Sequence, residues 1–164
     1  MEIGTANGGT LFCFARLSAP QALLVSIDLP GGVHGGGYPV WKRALYRSFA
    51  REGQRIELLR GDSHAPSMRR RLEGLLAGRA IDLLLVDGDH TYEGVRRDYE
   101  LYAPLVRAGG LVAFHDIRRH PPEADCHVDR LWAELRGDDG WEILDGDADW
   151  AGLGILPWPR PVRI

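Results

Sequence analysis

The sequence predicts an α/β fold in which mostly parallel strands alternate with helices, and three observations predict it. Short apolar runs alternate along the chain with longer amphipathic segments, the pattern of βαβ units. The runs at 83–86 (LLLV) and 111–114 (LVAF) are continuously apolar, as strands covered on both faces are. Polar side chains gather where the runs stop: Asp28, Asp62, Asp87, Asp89, His90, His115 and Asp116. Open parallel sheets bind ligands beyond the carboxyl ends of their strands, which is where these residues fall.

The elements come in order along the chain. MEIGTANGG opens inside a first, central strand with almost nothing before it, so an N-terminal segment is expected to be short or missing. Further strands are predicted at 23–30, 54–63, 81–90, 109–117, 141–146 and 151–158. Helical patterns fill the intervals at 9–19, 40–53, 66–79, 91–106 and 128–137. The Gly-rich loop PGGVHGGGYP at 30–39 is a lid or a long connection. With no internal repeat, 164 residues form one domain, 1–164, large enough to bury a core.

Composition excludes several function classes. The chain is 45% hydrophobic and 26% charged, as soluble globular proteins are. A net charge of -3 gives no electrostatic reason to expect nucleic acid as a partner, and the basic run MRRRLEG (68–74) reads as a solvated helix face. No apolar stretch approaches the roughly 20 residues that span a bilayer, and no secretory pattern opens the chain. Cys13 and Cys126 are far apart and outside any metal-type pair, so free thiols and a cytoplasmic location are expected.

The turn EIGTANGGT (2–10) carries Gly4, Gly8 and Gly9, which permit positive φ and close approach of a ligand to the backbone. The next helix turns its unpaired N–H groups toward an electronegative ligand. Asp28 ends the adjacent strand, where a carboxylate can accept both ribose hydroxyl protons. A nucleoside-containing cofactor is the leading expectation, with Glu2, Asp28 and Asp62 in register. Ala6 stands at the second glycine position of G-x-G-x-x-G, which places a nicotinamide-dependent oxidoreductase behind it.

These segments resemble the class I S-adenosylmethionine-dependent methyltransferases. The likeness is to the branch of sugar and macrolide O-methyltransferases and cephalosporin-hydroxylase-like proteins. It is carried by EIGTANGGT, SIDL, GDS, LLLVDGDHTYEGVRRDYELYAPLVRAGGLVAFHDI and GLGIL. The resemblance implies a Rossmann-like, doubly wound sheet of seven strands with the last antiparallel. It implies Gly4, Thr5 and Gly8 beside the methionine part of the cofactor, Asp28 at its ribose, and Asp62 with Ser63 at its adenine. It implies a divalent metal at Asp87 and an acidic pair on the following strand, a pair that here reads His115-Asp116.

His90 is the candidate general base, since imidazole titrates near ~6.5 and can take a hydroxyl proton at neutral pH. Its bland alternative is a cap for the helix near Thr91, which Thr91 and Asp89 could supply unaided. Carboxylates at Asp87 and Asp116 would repel, and a hard cation between them removes that cost. Oxygen ligands favour magnesium or calcium, and His115 shifts the preference toward manganese or zinc. His34, His64, His120 and His127 read as inert; Trp132, Trp141, Trp150 and Trp158 as core or rim; Trp41 and Tyr38 as candidate pocket walls. Neither cysteine has a base at a recognisable spacing.

The expected function is methyl transfer from S-adenosylmethionine to a hydroxyl of a small acceptor, a sugar or natural product, with metal assistance. Expected partners are that acceptor and, in an assembly, copies of this chain, with no nucleic acid and no membrane. The alternative of another class is a cofactor-binding module without turnover.

Overall fold

The computed structural model describes the chain except for residues 32–36, 145, 147–150 and 160–164. His34, Trp150 and half of the loop at 30–39 therefore lie outside the described residues. The elements run β1 (Glu2–Ile3), α1 (Gly9–Leu17), β2 (Leu23–Asp28), α2 (Lys42–Arg47), β3 (Arg55–Arg60), α3 (Pro66–Leu76), β4 (Ile81–Val86), α4 (Tyr92–Tyr102), β5 (Val106–His115), α5 (Val128–Leu135), β6 (Trp141–Ile143) and β7 (Leu153–Trp158).

They form one seven-stranded sheet in the order β3-β2-β1-β4-β5-β7-β6. β1 to β5 pair in parallel, and β7, last in the chain, runs antiparallel to both β5 and β6. This is the Rossmann-like architecture that the sequence predicts. β1 bonds β2 on one side and β4 on the other, so the strand order reverses there. A crevice opens at such a switch point, outside the carboxyl ends of the strands.

The period-2 alternation of the strands divides the core. Ile3, Ile27, Leu59, Val86 and Phe114 face the larger cluster under α3, α4 and α5. Leu24, Ile56 and Leu58 face the smaller cluster with Leu11 and Ala15 of α1 and Tyr46 of α2. All five helices are shorter than their sequence patterns, two of them markedly. The pattern at 91–106 stops at Tyr102 and passes into a 3₁₀ turn, Ala103–Leu105. Pro104 in that turn has no N–H for a helical bond. The pattern at 40–53 gives only Lys42–Arg47, followed by turns that end at Gly53 with φ of 81°.

Glu2 is fully buried on the α1 side, paired in register with Ser26 and Leu85. Burial pushes its carboxyl up to about 8, opposed by the Ser26 hydroxyl. A carboxyl raised on folding gives stability that is complete below its unfolded value and lost as pH rises through its folded one. Glu2→Gln should therefore melt above the wild type at pH 9 and level with it near pH 4. Each kcal/mol recovered is worth roughly 2–4 °C at this size. Equal melting temperatures at pH 9 would show that the buried carboxyl carries no such cost.

Candidate active site

The glycine turn is built by close packing against its neighbours. Gly4 has φ of 91°, and a Cβ there would stand 1.9 Å from the Asp87 carbonyl oxygen. Only a residue without a side chain lets the end of β1 lie this close to the end of β4. Asp28 Oδ2 accepts the N–H of Thr5 at 2.8 Å and of Ala6 at 2.9 Å, tying the turn to the tip of β2. Thr5 Oγ1 hydrogen-bonds Ser26 Oγ, and Tyr46 donates its hydroxyl to the Ala6 carbonyl at 2.8 Å. Gly8 caps α1 in the left-handed region with no side-chain hydrogen bond, so no capping side chain satisfies the N–H groups of the first turn.

A cleft of about 310 Å³ opens over these strand ends. Ile3, Ile27 and Leu29 give it apolar walls, and Asp28, Asp62, Ser63 and His64 supply polar groups. At the end of β3, Asp62 Oδ1 accepts the His64 N–H at 2.8 Å. Tyr102 donates its hydroxyl to the Ser63 carbonyl at 2.5 Å, fastening the loop to α4. His64 Nε2 lies 3.2 Å from Oδ1 of Asp98, a fully buried carboxylate on α4. That partner raises the His64 imidazole above its ordinary value against the opposing effect of burial.

The other half of the cleft holds carboxylates and imidazoles. His90 Nε2 is 3.5 Å from Asp87 Oδ1, and His90 Nδ1 is 3.5 Å from Asp116 Oδ2. His115 Nδ1 is 3.2 Å from Asp87 Oδ1 and 3.0 Å from Asp116 Oδ1. The charges shift one another. Asp116, then Asp87, holds His115 up to about 10, and Asp87 raises His90. Burial acts to raise Asp87 and Asp116, but the imidazoles outweigh it and hold both carboxyls below the usual range. Asp116 has φ of 61°, a left-handed backbone that is strained for a residue with a side chain.

Asp87, His115 and Asp116 offer one ligand atom each within 4.8 Å of one another. Asp116 Oδ1 is buried without a well-aligned hydrogen bond, at ion-pair distance from two imidazoles. Two carboxylates and an imidazole around such an atom fit a divalent cation.

Of the residues singled out in the sequence, Gly4, Asp28, Asp62, Ser63, Asp87, Asp89, His90, His115 and Asp116 line the cleft, whereas Glu2, Thr5 and Gly8 do not. Thr91 caps α4 by accepting from the Gly94 N–H, and Asp89 braces Thr91. The helix entry thus has a cap that is not His90. Two histidines read as inert are placed otherwise. His64 lines the cleft, and His120 Nε2 stands 3.6 Å from Asp116 Oδ1. The clue for His64 was its place directly after the strand-end GDS. Tyr38 and Trp41 are corrected as well. Tyr38 packs on Tyr46 at 4.8 Å in the smaller core, Trp41 is exposed, and neither is in the cleft wall.

Comparison with known proteins agrees with this fold. Residues 1–117 match the family described as methyltransferase domain. The chain is similar to uncharacterized protein R132 of Acanthamoeba polyphaga mimivirus, 29% identical over 83% of this chain and 60% of that protein. It is 30% identical to uncharacterized protein y4gI of Sinorhizobium fredii over 82% of this chain and 14% of that one. The chain thus spans about 60% of the first relative and a small part of the second. Among solved structures it is similar to the calicheamicin methyltransferase CalS11, with a TM-score of 0.68 and 20% identity over 98% of this chain and 72% of that one. It also resembles the O-methyltransferase TomG of Streptomyces achromogenes, solved with SAM (TM-score 0.65, 20% identity, 95% and 71% covered). At these identities the likeness establishes the fold. By the family match across most of its length and by the sheet that carries its cleft, the chain belongs to the methyltransferase-domain family and has the fold of the S-adenosylmethionine-dependent methyltransferases.

Proposed function

We propose that this chain transfers a methyl group from S-adenosylmethionine to a hydroxyl oxygen of a small acceptor, a sugar or natural product. One observation carries the proposal: the glycine turn with Asp28 and the Asp87, His90, His115, Asp116 group face a single cleft from adjoining strand ends. A volume of about 310 Å³ is at the lower end of the small-molecule range.

The chain's residues divide the work. Asp28 spends Oδ2 on the turn and keeps Oδ1 for ribose hydroxyls, while Gly4, Thr5 and Gly8 shape the turn for the methionine part. Glu2 supports that turn from behind, beside Ser26. Asp62 and Ser63 border the adenine, on a loop fastened by Tyr102. When bound, S-adenosylmethionine supplies an electrophilic methyl group, and a divalent cation such as magnesium would supply Lewis-acid polarisation of the acceptor oxygen. Asp87, Asp116 and His115 would hold that cation. His90 takes the acceptor's hydroxyl proton on a ring nitrogen, and Asp87 and Asp116, each 3.5 Å away, stabilise the imidazolium that results.

Among the described residues no helix is long and apolar enough to cross a membrane. Cys13 and Cys126 are free thiols, which suits a cytoplasmic setting. The partner is a small-molecule acceptor, with neither nucleic acid nor membrane, and any assembly is of copies of this chain.

Isothermal titration should show S-adenosylhomocysteine binding more tightly than NAD; a clear NAD signal with none for S-adenosylhomocysteine would overturn the cofactor assignment. Asp28→Ala should weaken that binding by roughly 1–3 kcal/mol, the scale of hydrogen bonds to a charged group. An unchanged dissociation constant in a folded variant would remove Asp28 from the site.

A further inference from the structure

Asp116 presents its two carboxylate oxygens to different groups of ligands. Oδ1 lies 3.0 Å from His115 Nδ1, on the side shared with Asp87. Oδ2 lies 3.5 Å from His90 Nδ1. The segment before α5 brings a thiol to His90 and Asp116, because the His127 N–H donates to the His90 carbonyl at 2.8 Å. Cys126, next to that anchor, places its sulfur within 4.8 Å of the ligand atoms of both His90 and Asp116. Cys126 and Asp116 are buried, 6% and 5% exposed, and His90 opens to the cleft.

The spacing suits a cation held between these side chains. A nitrogen–oxygen distance of 3.5 Å is too long for a strong hydrogen bond. Two ligands at about 2.0–2.1 Å on a tetrahedral zinc stand ~3.3 Å apart, close to what is found. A thiol, an imidazole and a carboxylate form a softer donor set than Asp87, Asp116 and His115, and softer sets select zinc over magnesium or calcium.

We propose that His90, Asp116 and Cys126 form a second cation site that takes a thiophilic divalent cation such as zinc, with Asp116 shared between the two groups. Three protein ligands leave the fourth position to water. Binding releases the thiol proton to solvent and leaves Cys126 as thiolate. His90 can no longer accept a proton once a ring nitrogen ligates the cation, so zinc inhibits methyl transfer. That consequence rests on the base assignment proposed above; the site itself does not.

The test is a cobalt(II) titration of the whole metal-free chain, followed by absorption. The wild type and Cys13→Ser should both show a thiolate-to-cobalt charge-transfer band in the near ultraviolet, which zinc then abolishes. Cys126→Ser, checked for folding by circular dichroism, should lose the band. Its affinity for zinc, measured against a chromophoric chelator, should fall at least about tenfold. A wild type without the band, or a band that survives Cys126→Ser, overturns the site. A band with the expected losses, in a protein that transfers no methyl group, supports the site while the function proposed above fails.

Discussion

His90→Ala should lower the methyl-transfer rate by ~10²–10⁴, the usual cost of losing a general base, and leave the affinity for S-adenosylhomocysteine near the wild-type value. The split follows from position. His90 sits with Asp87 and Asp116, whereas the turn and Asp28 hold the other part of the cleft. Asp87 raises the imidazole above its ordinary value, so more of the unliganded protein carries a proton on His90 at neutral pH. Only the neutral ring can act as base, so the rate of metal-free protein should climb with pH, centred above ~6.5. Single-turnover rates across pH, with calorimetric dissociation constants for both proteins, check this. A fully active His90→Ala would reduce the stretch VDGDH to a polar helix entry. Activity unchanged by chelation would remove the cation and leave His90 to act alone.

Gly4→Ala has the largest expected effect on the fold. Its backbone is at φ of 91°, and the new Cβ would meet the Asp87 carbonyl oxygen at 1.9 Å and its carbon at 2.6 Å. Both obstacles are backbone, so no side chain can swing aside. Destabilisation on the order of 3 kcal/mol is expected, combining a left-handed non-glycine with a steric clash. At this chain length that is roughly 6–12 °C in melting temperature. Relief requires the ends of β1 and β4 to part, which also widens the cleft. The surviving folded protein should therefore bind S-adenosylhomocysteine more weakly. Wild-type melting and binding together would show that the turn tolerates a methyl group.

The parts legible in the sequence were those written locally. The runs ending at Asp28, Asp62, Asp87 and His115 showed both strand and cleft, because a parallel strand is apolar until its carboxyl end and polar just beyond. The close spacing of Asp87 with His90 and the adjacency of His115 and Asp116 marked four side chains that line the second half of the cleft. The hidden parts depended on contacts distant in sequence. His64 meets Asp98 across the gap between a loop and a helix, and His120 is brought beside Asp116 by the chain after β5. Tyr38 comes after a glycine loop and suggested a pocket wall, yet it packs on Tyr46. Nearness to a loop says nothing about which way a ring turns. The helix pattern at 40–53 ran past its true end because Phe49 and Ala50 remain packed on the smaller core after the helix stops.

The match to the methyltransferase-domain family ends at Ile117, immediately after Asp116. The glycine turn and the polar residues to which a role in transfer is assigned come before that point. Residues beyond Ile117 supply α5, β6, β7 and the segment that carries Cys126. The chain is thus divided into a part that specifies the cleft and a part that completes the sheet beside it. The second still bears on the first, because the His127 N–H holds the His90 carbonyl at 2.8 Å and β7 pairs with β5 as far as His115. A cleft whose lining lies wholly before Ile117 therefore depends for its shape on residues that the family match does not reach.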